Sequence, residues 1–330
     1  MKLRHDPFAA FASSTEPACA RAQRQWGLPD PAGLLAQGIA GEQRPDGSWE
    51  GSVPRTIERL FALWLLGEAR GPAAQSGLDW LLEGGKEPFE HCCADGARYD
   101  GLFFRTTRAD REGLRAMSGV PFVAGCAGFA KTGAALFLAN GCGMRGDPRV
   151  ERAFGALAEV ARVRRGALCS PACSNNLLIA LATDGAPDSQ EAALLAVPHV
   201  AAQADVQGGW RGGFPFYPTL WWLSFVDHGE AARQVHRALP RLVRSQNLDG
   251  SWGRRQRELV SYLVLDALER SGALIETRPR PAQRDRGAGA QERIGRAVYA
   301  PRAYFGQGER GCAANGIGPA GSRAPRSTVP

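Results

Sequence analysis

Thiols and one imidazole are the groups in this 330-residue chain whose types and spacing point most directly to chemistry. His91-Cys92-Cys93 is followed by Cys126 and then by Cys169-Ser170-Pro171-Ala172-Cys173. Cys126 and Cys173 each open an apolar stretch of helical spacing, "CAGFAKTGAALFLANG" and "CSNNLLIALA", so both stand at helix starts. Four ligands drawn from Cys93, Cys126, Cys169 and Cys173, with His91 or Cys92 as substitutes, suit tetrahedral Zn²⁺. Cys-x-x-x-Cys is looser than the Cys-x-x-Cys of a standard finger, and buried cysteine also serves as a small apolar residue, so a set of ordinary core thiols is the competing expectation. A closed four-ligand site would be structural and pin the irregular stretch 87–121; a three-ligand site would keep a catalytic position open. The density of cysteine favours the closed form.

Two further groups have chemical potential. Asp227-His228 follows an apolar helix and has the types of an acid/base pair, although "DHG" also reads as a helix terminus with a cation and a glycine stop. The run "GGFPFYPTLWW" supplies Phe214, Phe216, Tyr217, Trp221 and Trp222, more aromatic surface than one hairpin contact requires. Such faces can line an apolar cavity and stabilise carbocations; packing between hairpins is the alternative use.

The elements that position these groups are helical. "QRPDGSW" at 43–49 reappears as "QNLDGSW" at 246–252, and a weaker copy runs from Gln203 to Trp210. After the first copy, Val53 to Ala69 has helical apolar spacing with Pro54 in the first turn, and Pro72 to Glu83 forms a second helix stopped by Gly84-Gly85. Arg255 to Ser271 repeats the pattern after the last copy, and Pro218 to Val226 after the weak one. Further helix pairs lie between, from Cys126, Asp147, Cys173 and Ser189. Each hairpin alone would leave an apolar face in water, so neighbours must stack. In the turn, Gly47 and Gly250 permit the reversal, Asp46 and Asp249 satisfy local N–H groups, and Trp49 and Trp252 wedge between hairpins.

Gln-x-x-Asp-Gly-Ser-Trp followed by an apolar helix resembles the QW repeat of squalene and oxidosqualene cyclases and the related repeat of protein prenyltransferase β subunits. The resemblance covers roughly Pro31 to Gly272. It implies an all-α fold, an α/α toroid of about five or six helical hairpins around a central cavity, complete or slightly open. Within such a toroid, Cys126 and Cys173 would share one rim. The resemblance further implies a prenyltransferase- or terpene-cyclase-like protein handling an isoprenoid or other apolar substrate in that cavity. A non-catalytic scaffold binding a peptide, lipid or partner protein is the alternative, because one fold hosts many functions. The Asp-x-Asp-Asp acid cluster of class II cyclases is missing: Asp95 and Asp100 in "CCADGARYDG" are five apart. An Asp-Asp-x-x-Asp motif for magnesium pyrophosphate is also missing, and the Asp-x-Cys and His zinc ligands of the prenyltransferases have no residue-by-residue match. Lanthionine cyclases too combine a toroid with zinc, but their Trp-Cys-His-Gly signature is absent, and His91-Cys92 reverses its central pair.

Composition bounds the rest. The net charge of +7 resides in residues 277–330, where ten arginines face three acidic residues. That Arg/Gly/Pro-rich stretch is expected to be a disordered tail, after an N-terminal segment 1–30 and a repeat domain 31–276. Without basic residues interleaved regularly with aromatics, specific nucleic-acid binding is not expected. Neither an export signal nor an apolar run of membrane-spanning length is found, so the expectation is a cytoplasmic protein with reduced cysteines.

Overall fold

Twelve α-helices make up nearly all the regular structure among the residues described by the computed structural model, which are 3–11, 16–27, 32–83 and 101–273. Six of them form an inner ring: α1 (Pro17–Trp26), α3 (Val53–Leu65), α6 (Ala127–Gly141), α8 (Pro171–Asp184), α10 (Phe216–Leu223) and α12 (Arg257–Arg270). Each packs on the next in that order, and α12 packs back on α1, so the ring closes. Outside it lie α2 (Ala32–Gly41), α4 (Pro72–Glu83), α7 (Pro148–Arg164), α9 (Pro187–Ala202) and α11 (Gly229–Ser245), while the short α5 (Arg108–Ala116) packs on α3 and α6. The chain is therefore an α/α toroid.

Inner helices run parallel. Cys126 before α6 meets Cys173 in the first turn of α8, and at the far end Asn140 Nδ2 donates to Thr183 O at 2.9 Å. Arg24 near the end of α1 donates to the Leu65 and Leu66 carbonyls at the end of α3. All inner-helix N-termini thus share one rim. The inner position also explains why α6 and α8 are buried all round rather than on one stripe: 127–139 and 173–182 are buried without a break, the polar Lys131, Asn175 and Asn176 included.

The repeated turn builds the same structure at each copy. Trp49 N–H donates to Thr56 Oγ1 and its indole to Ile39 O (3.2 and 2.8 Å); Trp252 does the same with Ser261 Oγ and Leu242 O (both 2.9 Å). Asp46 and Asp249 accept from the backbone and hydroxyl of Ser48 and Ser251. Gln43 and Gln246 span the turn and then reach the neighbouring element. Gly47 (φ +89°) lies against Ser76 of α4, and a methyl group there would strike its carbonyl.

The weak copy is shifted by one residue relative to the alignment that starts at Gln203. Asp205 N–H bonds Gly209 O, as Arg44 bonds Ser48 O and Asn247 bonds Ser251 O. Asp205 is therefore the counterpart of Arg44 and Asn247, and Ala204 that of Gln43 and Gln246. The first helix ends at Leu65 rather than Ala69, because the chain turns at Leu66 and Gly67 (φ +83°).

The sixth inner helix, α1, comes from the N-terminal segment. Its buried face is built of Ala18, Cys19, Ala20 and Ala22, residues that carry little helical patterning in sequence. Ahead of it, residues 4–6 lie under the last turn, where a next outer helix would stand.

Candidate metal centre and the ring interior

Three of the predicted cysteines converge on the N-terminal rim between α6 and α8. Cys126 is the N-cap of α6, Ser170 the N-cap of α8, and Cys173 lies in the first turn of α8. The Sγ atoms of Cys126 and Cys169 are 2.9 Å apart, those of Cys169 and Cys173 3.2 Å, and all three lie within 4.8 Å of one another. Gly125 lets the loop before α6 approach the start of α8, since a Cβ there would sit 3.1 Å from Cys173 Sγ.

Hydrogen bonds fix the innermost sulfur. Cys173 Sγ accepts from the Cys126 backbone N–H at 3.0 Å and from Ser170 Oγ at 3.2 Å. Two parallel helices also point their N-terminal ends at the trio. A tetrahedral metal with 2.3 Å bonds to sulfur needs ligands about 3.8 Å apart, so a bound ion would spread the closest pairs modestly. The trio thus fits a soft, sulfur-ligated cation and could hold one. Cys126 also takes part in a disulfide, so its sulfur becomes a ligand only on reduction. Cys173 is 1% exposed and Cys169 faces solvent, so the trio has a buried side and an open side. His91, Cys92 and Cys93 lie outside the described residues. Cys142 is far from this site, at the C-terminus of α6, where burial pushes its thiol up to about 12.

Asp227 and His228 are exposed between α10 and α11. His228 is the N-cap of α11, and its Nδ1 accepts the Glu230 N–H at 3.2 Å. The aromatic run divides between two environments. Phe216 packs at 5.6 Å from Trp210 and under the Arg241 guanidinium (4.3 Å), while Phe214 sits 5.8 Å from His199. Tyr217 stacks edge-on with Phe216. Trp222 is fully buried with no partner for its indole N–H. Trp221 enters the ring, and its ring centroid lies 5.8 Å from that of Phe137 on α6, across from α10. Phe137 in turn touches Trp64 at 5.1 Å and Phe61 at 5.9 Å, so aromatic contacts cross the interior from α3 to α10.

Charged groups in the ring were not singled out from sequence. Asp266, 2% exposed, accepts from Trp221 Nε1 and Arg270 Nε, both at 2.8 Å, and from Gln25 at 3.3 Å. Arg21 stands 4.9 Å over Trp64. Toward the N-terminal rim, Lys131 is 1% exposed and donates to Arg105 O at 3.0 Å; burial lowers its pKa to about 8, against the opposing pull of Asp110. Asp110 accepts the Val53 N–H at 3.0 Å and closes a capping box with Thr107, holding the starts of α3 and α5 together.

No protein-family model matches the chain, and no curated protein matches it. Among solved structures it is similar to a protein from Actinoplanes, at TM-score 0.50 and 19% identity over 80% of this chain and 88% of that one. The type II terpene cyclase MstE from Scytonema aligns at TM-score 0.49 and 16% identity, covering 81% of this chain and 87% of that one. A variant of MstE in complex with geranylgeranyl dihydroxybenzoate aligns at TM-score 0.49 and 14% identity, with coverages of 81% and 88%. The Actinoplanes likeness concerns the fold alone, and the MstE values are too low to carry an inference.

Proposed function

We propose that the protein is an isoprenoid-handling α/α toroid of the terpene-cyclase or prenyltransferase kind, with Zn²⁺ held by Cys126, Cys169 and Cys173 at the rim. The observation that carries this reading is the convergence of three sulfurs at the N-termini of two parallel inner helices. The repeat supports the scaffold, and the Trp221–Phe137–Trp64 contacts offer aromatic faces to an apolar chain. Bound to three thiolates, Zn²⁺ would supply a Lewis-acid position at which a thiol or water loses its proton. The chain's own residues orient the ligands through Ser170 and Gly125 and keep Cys173 away from water.

The test is incubation of reduced, zinc-loaded protein with geranylgeranyl diphosphate, with and without a thiol acceptor. Tryptophan quenching reads binding, and mass spectrometry reads a thioether or a cyclised product. Saturable quenching with product supports the reading; neither, in folded zinc-loaded protein, contradicts it. A second reading, a metal-pinned scaffold without catalysis, is favoured by the aromatic side chains that already meet across the ring. Zinc without isoprenoid binding would select it.

A further inference from the structure

Structural equivalence of the three turns puts Pro45, Val206 and Leu248 at the same corner, the residue after Arg44, Asp205 and Asn247. All three are exposed, and Val206 and Leu248 are each 90% exposed. Corners of this kind ordinarily carry Pro or a short polar residue, so Pro45 is the usual choice and Val206 and Leu248 are the departures. The turns lead into the N-termini of the parallel inner helices, the end of the ring at which the cysteine trio lies. Val206 stands before α10 and Leu248 before α12, neighbours in the ring.

The ground around them is basic. Arg211, Arg254 and Arg255 are exposed and form no salt bridge among the described residues. The nearby carboxylates are already engaged: Asp205 accepts the Gln207 and Gly209 N–H groups, and Asp249 accepts from Ser251 and Arg257. Beside Leu248 an open cleft of about 660 Å³ is lined by Leu3, Arg4, His5, Gln246 and Leu248, again apolar and cationic together. Protruding aliphatic tips set among exposed guanidinium groups match an interface that is anionic at its surface and apolar a few ångströms deeper.

We propose that this sector of the rim docks on an anionic lipid bilayer, with Val206 and Leu248 entering the acyl boundary and Arg4, Arg211, Arg254 and Arg255 facing the headgroups. The test is co-sedimentation of the full chain with vesicles of phosphatidylcholine alone and of phosphatidylcholine mixed with phosphatidylglycerol. Binding to the mixed vesicles only is expected, weakened about fivefold by each arginine neutralised and released by salt. Val206→Ser/Leu248→Ser should weaken it about tenfold, and Val206→Phe/Leu248→Phe should strengthen it, a gain that damage to the fold would not produce. Unchanged binding by the serine pair would place the contact elsewhere on the chain and overturn the proposal. Binding of an oligouridylate without vesicle binding would make this a nucleic-acid surface and overturn it equally.

Discussion

Gln246 grips the backbone of His5 from 241 residues away: its Nε2 donates to His5 O at 3.0 Å, and its Oε1 accepts the His5 N–H at 3.1 Å. In the first turn the equivalent Gln43 donates to Ala73 O of the next outer helix, so the N-terminal segment takes the place of that helix and closes the ring. Gln246 also serves Arg4 N and Gly250 O. Replacing it with alanine should cost about 2–4 kcal/mol, from several net hydrogen bonds lost at once. Hydrogen exchange should quicken first in α1; unchanged protection there would show that the ring is closed by other contacts.

Gly250 and Gly272 both have positive φ (+85° and +66°), but only Gly250 has a neighbour in the way, since an added methyl would collide with the Asp6 carbonyl. Gly272→Ala should cost about 1 kcal/mol for conformation alone, and Gly250→Ala clearly more. Denaturant midpoints of the two variants make the comparison; equal shifts would mean that residues 4–6 do not press on the turn.

Lys131 gives a pH signature. Its folded pKa of about 8 is below the ordinary lysine value of 10.5, so the unfolded chain binds its proton more tightly. This contribution therefore destabilises in full below about pH 8 and is relieved as pH rises from 8 toward 10.5. In Lys131→Met that rise should vanish, so the difference in unfolding free energy between variant and parent should shift in the parent's favour across this window. A difference flat with pH would mean that the ammonium is as well solvated folded as unfolded.

The cysteines should separate by reactivity. In reduced protein near neutral pH, iodoacetamide should modify the exposed Cys169 well before Cys142, whose thiol is held protonated by burial. Peptide mapping over time reads the order, and zinc should slow Cys169 specifically. Early labelling of Cys142 would contradict its placement at the buried end of α6.

Much of this architecture was legible because the apolar spacing is strong where helices are long. Pro72–Glu83 has the same bounds in sequence and structure, and Asp46 and Asp249 accept from local N–H groups as the turn chemistry predicts, whereas the indole bonds of Trp49 and Trp252 were not foreseen. The cysteine trio was legible for a related reason: helix starts can be read locally, and parallel helices bring their starts together. What escaped depends on partners distant in sequence. α1 buries alanines, which carry little apolar signal, and the seat of His5 under Gln246 has no local signature. Asp110, Lys131 and Asp266 look like ordinary surface charges until the ring encloses them.

The central claim is a metal centre at the rim, and metal content tests it most directly. The full chain, purified under reducing conditions with zinc supplied and excess removed, is compared by mass spectrometry with a Cys169→Ser/Cys173→Ser variant. About one zinc per chain, lost in the variant while the fold persists, is the expected result. Folded parent protein without zinc, or a variant that keeps it, would contradict a centre built on Cys126, Cys169 and Cys173.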